Sequence, residues 1–403
     1  MPPEDPNTLL QDGAARHAAG DLAAAERLYR QVLKRAPAEP NAHNLLAVLA
    51  RQRGDVPGAL RHSERALAVA PEEPVFLANR GAALAEAGRL AEAVAALRAA
   101  LARRPADPVT LRNLGQALCA LGDATAALAP LQAAAALLPE APEPLLALAH
   151  ARREAGDAAG AAAAAADALA RAGAAPALAG QARFLLAALG AAPAPDRAPA
   201  AYVRDLFDQF APRFDAELTG RLEYRTPALL AALLEGAGIA PARRLRVLDL
   251  GCGTGLSGVA LAPFARRLEG LDLSPRMLAE ARKRGLYDAL HAADLLEWLP
   301  GRVAGFDLVA AADVLNYLGD LAPALAAIAG ALVQGGVAAF SVEAGAGAPF
   351  ALGAAMRYRH DPAHVAALAV AAGLETVARQ DAALRQEKGA PVDGALFVLR
   401  RVG

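Results

Sequence analysis

Cysteine is nearly missing from this sequence. Cys119 and Cys252 stand far apart in unlike contexts, which excludes a disulfide framework and leads us to expect reduced, structural thiols in a cytoplasmic protein. Aromatic residues are scarce at 4%, and of the 10 Phe, 6 Tyr and 1 Trp only Tyr29, Phe76 and Phe184 precede residue 195. A first half with so few anchors does not name its own ligand. Neither sign of charge is in excess: 41 Lys and Arg stand against 42 Asp and Glu. A polyelectrolyte surface for nucleic acid or anionic membrane is therefore not expected. Long apolar runs are also lacking, since Ala124 to Pro139 is uncharged but alanine-rich, interrupted by proline and too short to span a bilayer. The opening MPPEDPNTLL has neither a basic nor an apolar stretch and is not expected to act as a signal peptide.

What is present falls into two halves. With 403 residues and 55% apolar content, two or three soluble domains are expected. The first half repeats with a period of 34: Pro6, Pro40, Pro74, Pro108 and Pro142 form one series, and Gly20, Gly54, Gly88, Gly122 and Gly156 another. Ala25, Ala59, Ala93, Ala127 and Ala161 form a third, and Pro37, Pro71, Pro105 and Pro139 a fourth that fails at Gly173. The prolines bracket the break between helix pairs, the glycines turn the chain within a pair, and the alanines let the two helices pack closely. Leu77, Gly81 and Leu84 recur as Leu111, Gly115 and Leu118. This pattern resembles the tetratricopeptide repeat in five copies over 6–173, although Ser63, Arg80 and Arg152 stand where that family usually has apolar residues. The resemblance implies an all-α solenoid that binds a protein partner; a dimerisation or spacer element is the alternative. Residues 174–190, with Phe184, Leu185, Leu186 and Leu189 at helical spacing, read as its capping helix. AAPAPDRAPA, 191–200, reads as a Pro/Ala linker between an array at 1–190 and a second domain at 201–403.

From Leu245 onward, strand and helix patterns alternate, which predicts a doubly wound, mostly parallel sheet with its ligand at the carboxyl ends of the strands. LETVARQDA and ALFVLRR, separated by a turn at Gly389, Pro391 and Gly394, predict a closing antiparallel hairpin. The centre of this half is VLDLGCGTGLSG, where Asp249 ends a strand and Gly251, Gly253 and Gly255 free the backbone for a close approach. Gly253, Gly255 and Gly258 also satisfy G-x-G-x-x-G, and Asp272 lies where a dinucleotide enzyme places its ribose acid, so a nicotinamide cofactor is one reading. The series Asp249, Asp272, Asp294 and FDLVAAADVL instead resembles the class I S-adenosylmethionine-dependent methyltransferases, over about 202–401. The pairing of halves is similar to bacterial predicted methyltransferases with tetratricopeptide repeats. That resemblance implies a Rossmann-like, seven-stranded α/β domain binding S-adenosyl-L-methionine. Gly251, Cys252, Gly253 and Gly255 would form the loop, Asp272 with Leu273 would take the ribose, and Asp294 with Leu295 the adenine. Asp249 would help hold the ammonium, directly or through water, and Asp313 would border both cofactor and acceptor. For any one of these acids, a helix cap is the bland alternative.

The segment YVRDLFDQFAPRFDAELTGRLEY sets Phe207, Phe210 and Phe214 on one helical face. It reads either as a helix covering a sheet edge or, with Tyr202, as a lid over the site. Acceptor-side candidates are Asp313, Asn316 and Tyr317, and in MRYRHD the residues Arg357, Tyr358 and His360. His360 could serve as a base beside Tyr358, and Arg357 as an anion clamp; a surface turn capped by Asp361 is the competing reading. Arg385 is a further candidate of this kind. No metal site is expected. A non-catalytic repeat scaffold stands as the second functional class.

Overall fold

The computed structural model describes residues 5–387 and 389–402, so the start of the opening decapeptide lies outside it. The chain divides into two compact units, Met1–Leu178 and Ala179–Gly403.

In the first unit consecutive helices pack in pairs: α1 (Pro6–Ala18) with α2 (Leu22–Arg35), α3 (Pro40–Gln52) with α4 (Val56–Val69), and α5 (Pro74–Glu86) with α6 (Leu90–Arg103). α7 (Pro108–Ala120) pairs with α8 (Ala124–Leu137), and α9 (Pro142–Glu154) with α10 (Ala158–Arg171). Each first helix opens on a proline of the 34-residue series, where a missing N–H costs nothing. The five glycines of the turns have φ between +74° and +91°, a region that any side chain would strain. Behind four of them an aspartate caps the second helix, as Asp55 accepts from Gly58 N at 2.8 Å. The alanines of the third series are fully buried, and a Cβ on Gly81 would stand 2.6 Å from Leu97 Cγ. The atypical positions are satisfied by hydrogen bonds: Ser63 Oγ donates to Leu60 O at 2.9 Å and Arg152 Nη1 to Gly160 O at 3.0 Å.

Helix α11 (Pro176–Ala188) straddles the division, and nearly all of it belongs to the second unit. The expected capping helix is thus mostly a part of the α/β unit. Phe184 is buried there, its ring 5.3 Å from Tyr202 and 6.2 Å from Tyr358. Next come α12 (Ala200–Phe210), a 3-10 turn (Ala211–Arg213), α13 (Phe214–Ala216), a π turn (Glu217–Arg221) and α14 (Thr226–Gly236).

Strands β1 (Leu245–Leu250), β2 (Ala265–Asp272), β3 (Ala289–Ala292), β4 (Phe306–Ala311) and β5 (Leu332–Ala344) run parallel in the order β3-β2-β1-β4-β5. The helices between them are α15 (Leu256–Leu261), α16 (Pro275–Lys283), α17 (Leu295–Trp298) and α18 (Ala322–Ala331). Two short strands, β6 (Phe350–Leu352) and β7 (Tyr358–His360), extend the seven expected to nine, and β7 pairs with Glu343 and Ala344 at the end of β5. After α19 (Pro362–Ala371), strands β8 (Leu374–Glu387) and β9 (Ala390–Arg401) form the predicted hairpin, with β9 antiparallel to β5. Neighbouring residues face opposite sides of the sheet. Leu248, Leu250, Val309 and Phe340 pack toward α18 and α19, whereas Val247, Leu308, Ala310 and Ala339 pack toward Leu230 and Leu234 of α14. Among the described residues no helix is long and apolar enough to cross a membrane.

Candidate active site

The carboxyl ends of β1, β2 and β4 open into a cavity of about 230 Å³ within the second unit. Its floor is the glycine loop, and the three glycines serve different ends. Gly251 has φ +59° and its missing Cβ leaves room for Val314; Gly255 has φ +90° and lies against Arg284 and Tyr287. Only Gly253, at φ +54°, faces open space, with its nearest neighbour the Phe214 ring at 3.7 Å from an added Cβ. Gly258, the last residue of the dinucleotide fingerprint, makes room for the Tyr287 hydroxyl. The protein's own tyrosine therefore accounts for that glycine.

Asp272 ends β2 at the cavity wall. Its Oδ2 accepts from Gly253 N at 2.9 Å and its Oδ1 from Ser274 N at 2.8 Å, and the carboxylate still borders the cavity. Burial pushes the carboxyl up to about 6, against these backbone hydrogen bonds. Asp294 caps α17 by accepting from Leu296 N at 2.9 Å, and Arg197 forms an ion pair with it. Gly251, Cys252, Leu273, Leu295 and Asp313 also line the cavity. Asp249 does not. It is fully buried beneath the loop, accepting from Ser257 Oγ at 2.7 Å and Tyr287 OH at 2.6 Å, and burial pushes it up to about 7. It buttresses the loop from below, so of the two contacts expected with an ammonium, direct or through water, the direct one is corrected. Burial also pushes the Cys252 thiol well up, so that side chain is inert packing.

Phe207, Phe210 and Phe214 form an apolar roof, with Phe207 edge-on to Tyr317 at 5.6 Å. The roof is pinned to the floor at two points. Thr254 Oγ1 donates to Asp215 Oδ1 at 2.5 Å while Arg284 pairs with the same carboxylate, and Ser274 Oγ donates to Asp208 Oδ1 at 2.6 Å. Tyr202 lies outside the cavity, its hydroxyl on Met356 Sδ at 3.5 Å.

The far end is polar. Asp313, at φ +56°, accepts from Arg385 Nη1 at 3.0 Å. Buried Glu343 receives both Arg385 and, at 2.6 Å, Arg357 Nε, and Arg357 also pairs with Glu387. Burial works to raise Glu343, but the two guanidiniums outweigh it and hold the carboxyl low. Asn316 and Tyr317 line this end as expected, and Tyr224 joins them.

The expectation of Tyr358 and His360 as reacting groups is corrected. On β7 both are buried away from the cavity: Tyr358 OH donates to Pro195 O at 2.5 Å, and His360 Nε2 faces Leu318 O at 2.9 Å and Gly319 O at 3.1 Å. Arg357, one residue before the strand, does reach the cavity. Arg197, Tyr224 and Tyr287 carried no sequence signal of their own, since each acts through a partner distant in sequence.

A mostly parallel sheet with a glycine turn after its first central strand and an acid at the end of the next is the architecture of the doubly wound class, whose ligands bind at the carboxyl ends of the strands. Residues 247–336 match the methyltransferase-domain family, and residues 15–74, 54–108 and 79–142 match the tetratricopeptide repeat. Human methyltransferase-like protein 27 is 39% identical over 105 residues, 26% of this chain and 42% of that protein. The ubiquinone biosynthesis O-methyltransferase of Thiobacillus denitrificans is 33% identical over 159 residues, 34% of this chain and 67% of the enzyme. The trans-aconitate 2-methyltransferase of Methylobacterium radiotolerans is 37% identical over 144 residues, 35% and 47% of the two chains. The chain spans about half the length of most of these relatives. It belongs to the class I methyltransferase family and carries tetratricopeptide repeats ahead of that domain.

Proposed function

We propose that this chain is an S-adenosyl-L-methionine-dependent methyltransferase whose repeats bring a protein partner, as substrate or as carrier of the substrate. The observation that carries the reading is the pairing of Gly253 with Asp272: a bare backbone and a carboxylate held in place by backbone N–H groups share one cavity wall. A vicinal diol matches such a carboxylate. Leu273 and Leu295 supply flat apolar contact on either side, and Asp294 would accept from an exocyclic amine once Arg197 yields part of its hold. Bound there, the cofactor supplies an electrophilic methyl carbon on a positively charged sulfur.

The chain's own residues would then align and dehydrate. Phe207, Phe210 and Phe214 exclude water above the floor, so a nucleophile meets the methyl carbon without a hydration shell. Holding the two in line accounts for most of the rate such a reaction can gain. The relatives are named for an oxygen acceptor and for trans-aconitate, and this favours oxygen over nitrogen as the methylated atom here. Calorimetry with S-adenosylhomocysteine tests the reading. Binding in the micromolar range, abolished in Asp272→Ala, is expected; no binding to the folded wild type refutes it.

A further inference from the structure

The hydrogen bonds at the far end of the cavity are unequally committed. Both guanidinium charges are met, Arg385 by Asp313 and Glu343, and Arg357 by Glu343 and Glu387. Those cations hold the acids in turn, and Asp313 also accepts from Thr226 Oγ1 at 3.3 Å and Ser341 Oγ at 3.2 Å. No histidine lines the cavity, and nearby His360 turns Nε2 onto backbone carbonyls. Among the described residues, then, each acid at this end is ion-paired to a guanidinium, which makes it a weak base. Uncharged donors face it too. Asn316 Oδ1 accepts from Glu343 N at 3.2 Å, which directs its Nδ2 away from that strand, and neither Nδ2 nor the Tyr317 hydroxyl is sealed in the interior or spent on a protein partner.

A hydroxyl or ammonium acceptor must lose a proton for its methylation to end in a neutral product, and this end offers only carboxylates already paired with arginine to take it. An acceptor that arrives as a nucleophile, and offers lone pairs to two uncharged donors, fits both facts. We propose that the methyl acceptor is a carboxylate, aligned by Asn316 Nδ2 and Tyr317 OH and converted to a methyl ester. The inference rests on the methyltransferase reading above. A carboxylate oxygen lone pair forms the new O–CH3 bond while the S–CH3 bond breaks and its electron pair stays on sulfur; no proton moves. A positive sulfonium and a negative carboxylate both become neutral, a change that the apolar roof favours because separated charge is costly in low dielectric. Amide and hydroxyl donors orient the nucleophile without cancelling its charge, as a free guanidinium would.

The test uses the full chain, methyl-tritiated S-adenosylmethionine, and a bacterial lysate separated into a low-mass filtrate and a dialysed protein fraction. Label released as volatile methanol by mild alkali is expected, in the filtrate if the carboxylate is a free acid and in the protein if it is a side chain or terminus. Alkali-stable label in both fractions, or no label from protein that binds S-adenosylhomocysteine, overturns the proposal while leaving the cofactor reading intact; failure of that binding sinks the reading itself. Asn316→Asp keeps an acceptor for Glu343 N but replaces the donor. It should lower kcat/KM for the acceptor about 100-fold with the S-adenosylhomocysteine Kd changed less than about twofold, and Tyr317→Phe about 10-fold. Unchanged acceptor kinetics in both variants would count equally against the proposal.

Discussion

Asp272 and Asp249 lie one strand apart, and both are pushed up by burial, but their titrations are read in different experiments. On the proposed reading Asp272 accepts ribose hydroxyls and must be ionised to do so, and affinity for S-adenosylhomocysteine should therefore hold at pH 7 to 8 and fall as pH drops through about 6; calorimetry across that range checks it. Asp249 reports on stability. Its carboxyl rises from 3.8 to about 7 on folding, so between those values the folded state binds a proton that the unfolded state does not. Its contribution is complete below about pH 4 and lost as pH rises through 7. The apparent Tm should therefore decline from pH 5 to 8, and the decline should be shallower in Asp249→Asn. Gly251 is the steric counterpart. Alanine there would meet Val314 at a positive φ, costing about 2–4 kcal/mol, and Val314→Ala should return part of that loss in a double-mutant cycle by urea unfolding. At this scale the sequence was legible where a residue's place is set by its own backbone, as for Gly253 and Asp272, which both line the cavity. It was illegible where a partner decides: Gly258 looks like a cofactor glycine until Tyr287 is seen in its space.

Among the elements, the stretch from α12 to the π turn behaves as a roof held down by few bonds. Asp215 takes two of them, from Thr254 and Arg284. Because that carboxylate is about half exposed, its loss should cost little global stability. The roof should nevertheless loosen: in Asp215→Ala we expect S-adenosylhomocysteine to bind about 10-fold more weakly, about 1.4 kcal/mol, with faster hydrogen exchange confined to residues 207–221. The strands were readable because buried parallel strands are written as short apolar runs ending in acids and glycines. β6 and β7 were not. Three residues each, they exist because Tyr358 and His360 bond to Pro195, Leu318 and Gly319, contacts that span 41 to 163 positions. A tyrosine and a histidine before a helix look like chemistry in a linear sequence; here they sew a sheet edge shut.

For the whole molecule, the regular half was legible to the residue because a 34-residue period repeats the same local solution five times, whereas the division between units was not. A Pro/Ala-rich string carries the composition of a linker, and only its long-range contacts show otherwise. Ala198 N donates to Tyr317 O at 2.8 Å, Gly319 N to Asp196 O at 2.7 Å, and Arg197 reaches Asp294. Ligand linkage should respect the division: S-adenosylhomocysteine at 100 times its Kd should stabilise the second unit by about 2.7 kcal/mol and leave the helical transition of the repeats where it was, as followed by calorimetric scanning.

The same stretch bears on modularity. If the α/β half were moved onto another array, the natural joint would be at Leu178, because Arg197 and Ala198 are a wall of the pocket rather than slack between modules. A graft cut at residue 201 would carry every motif that marks the methyltransferase domain and still lack one side of the cavity.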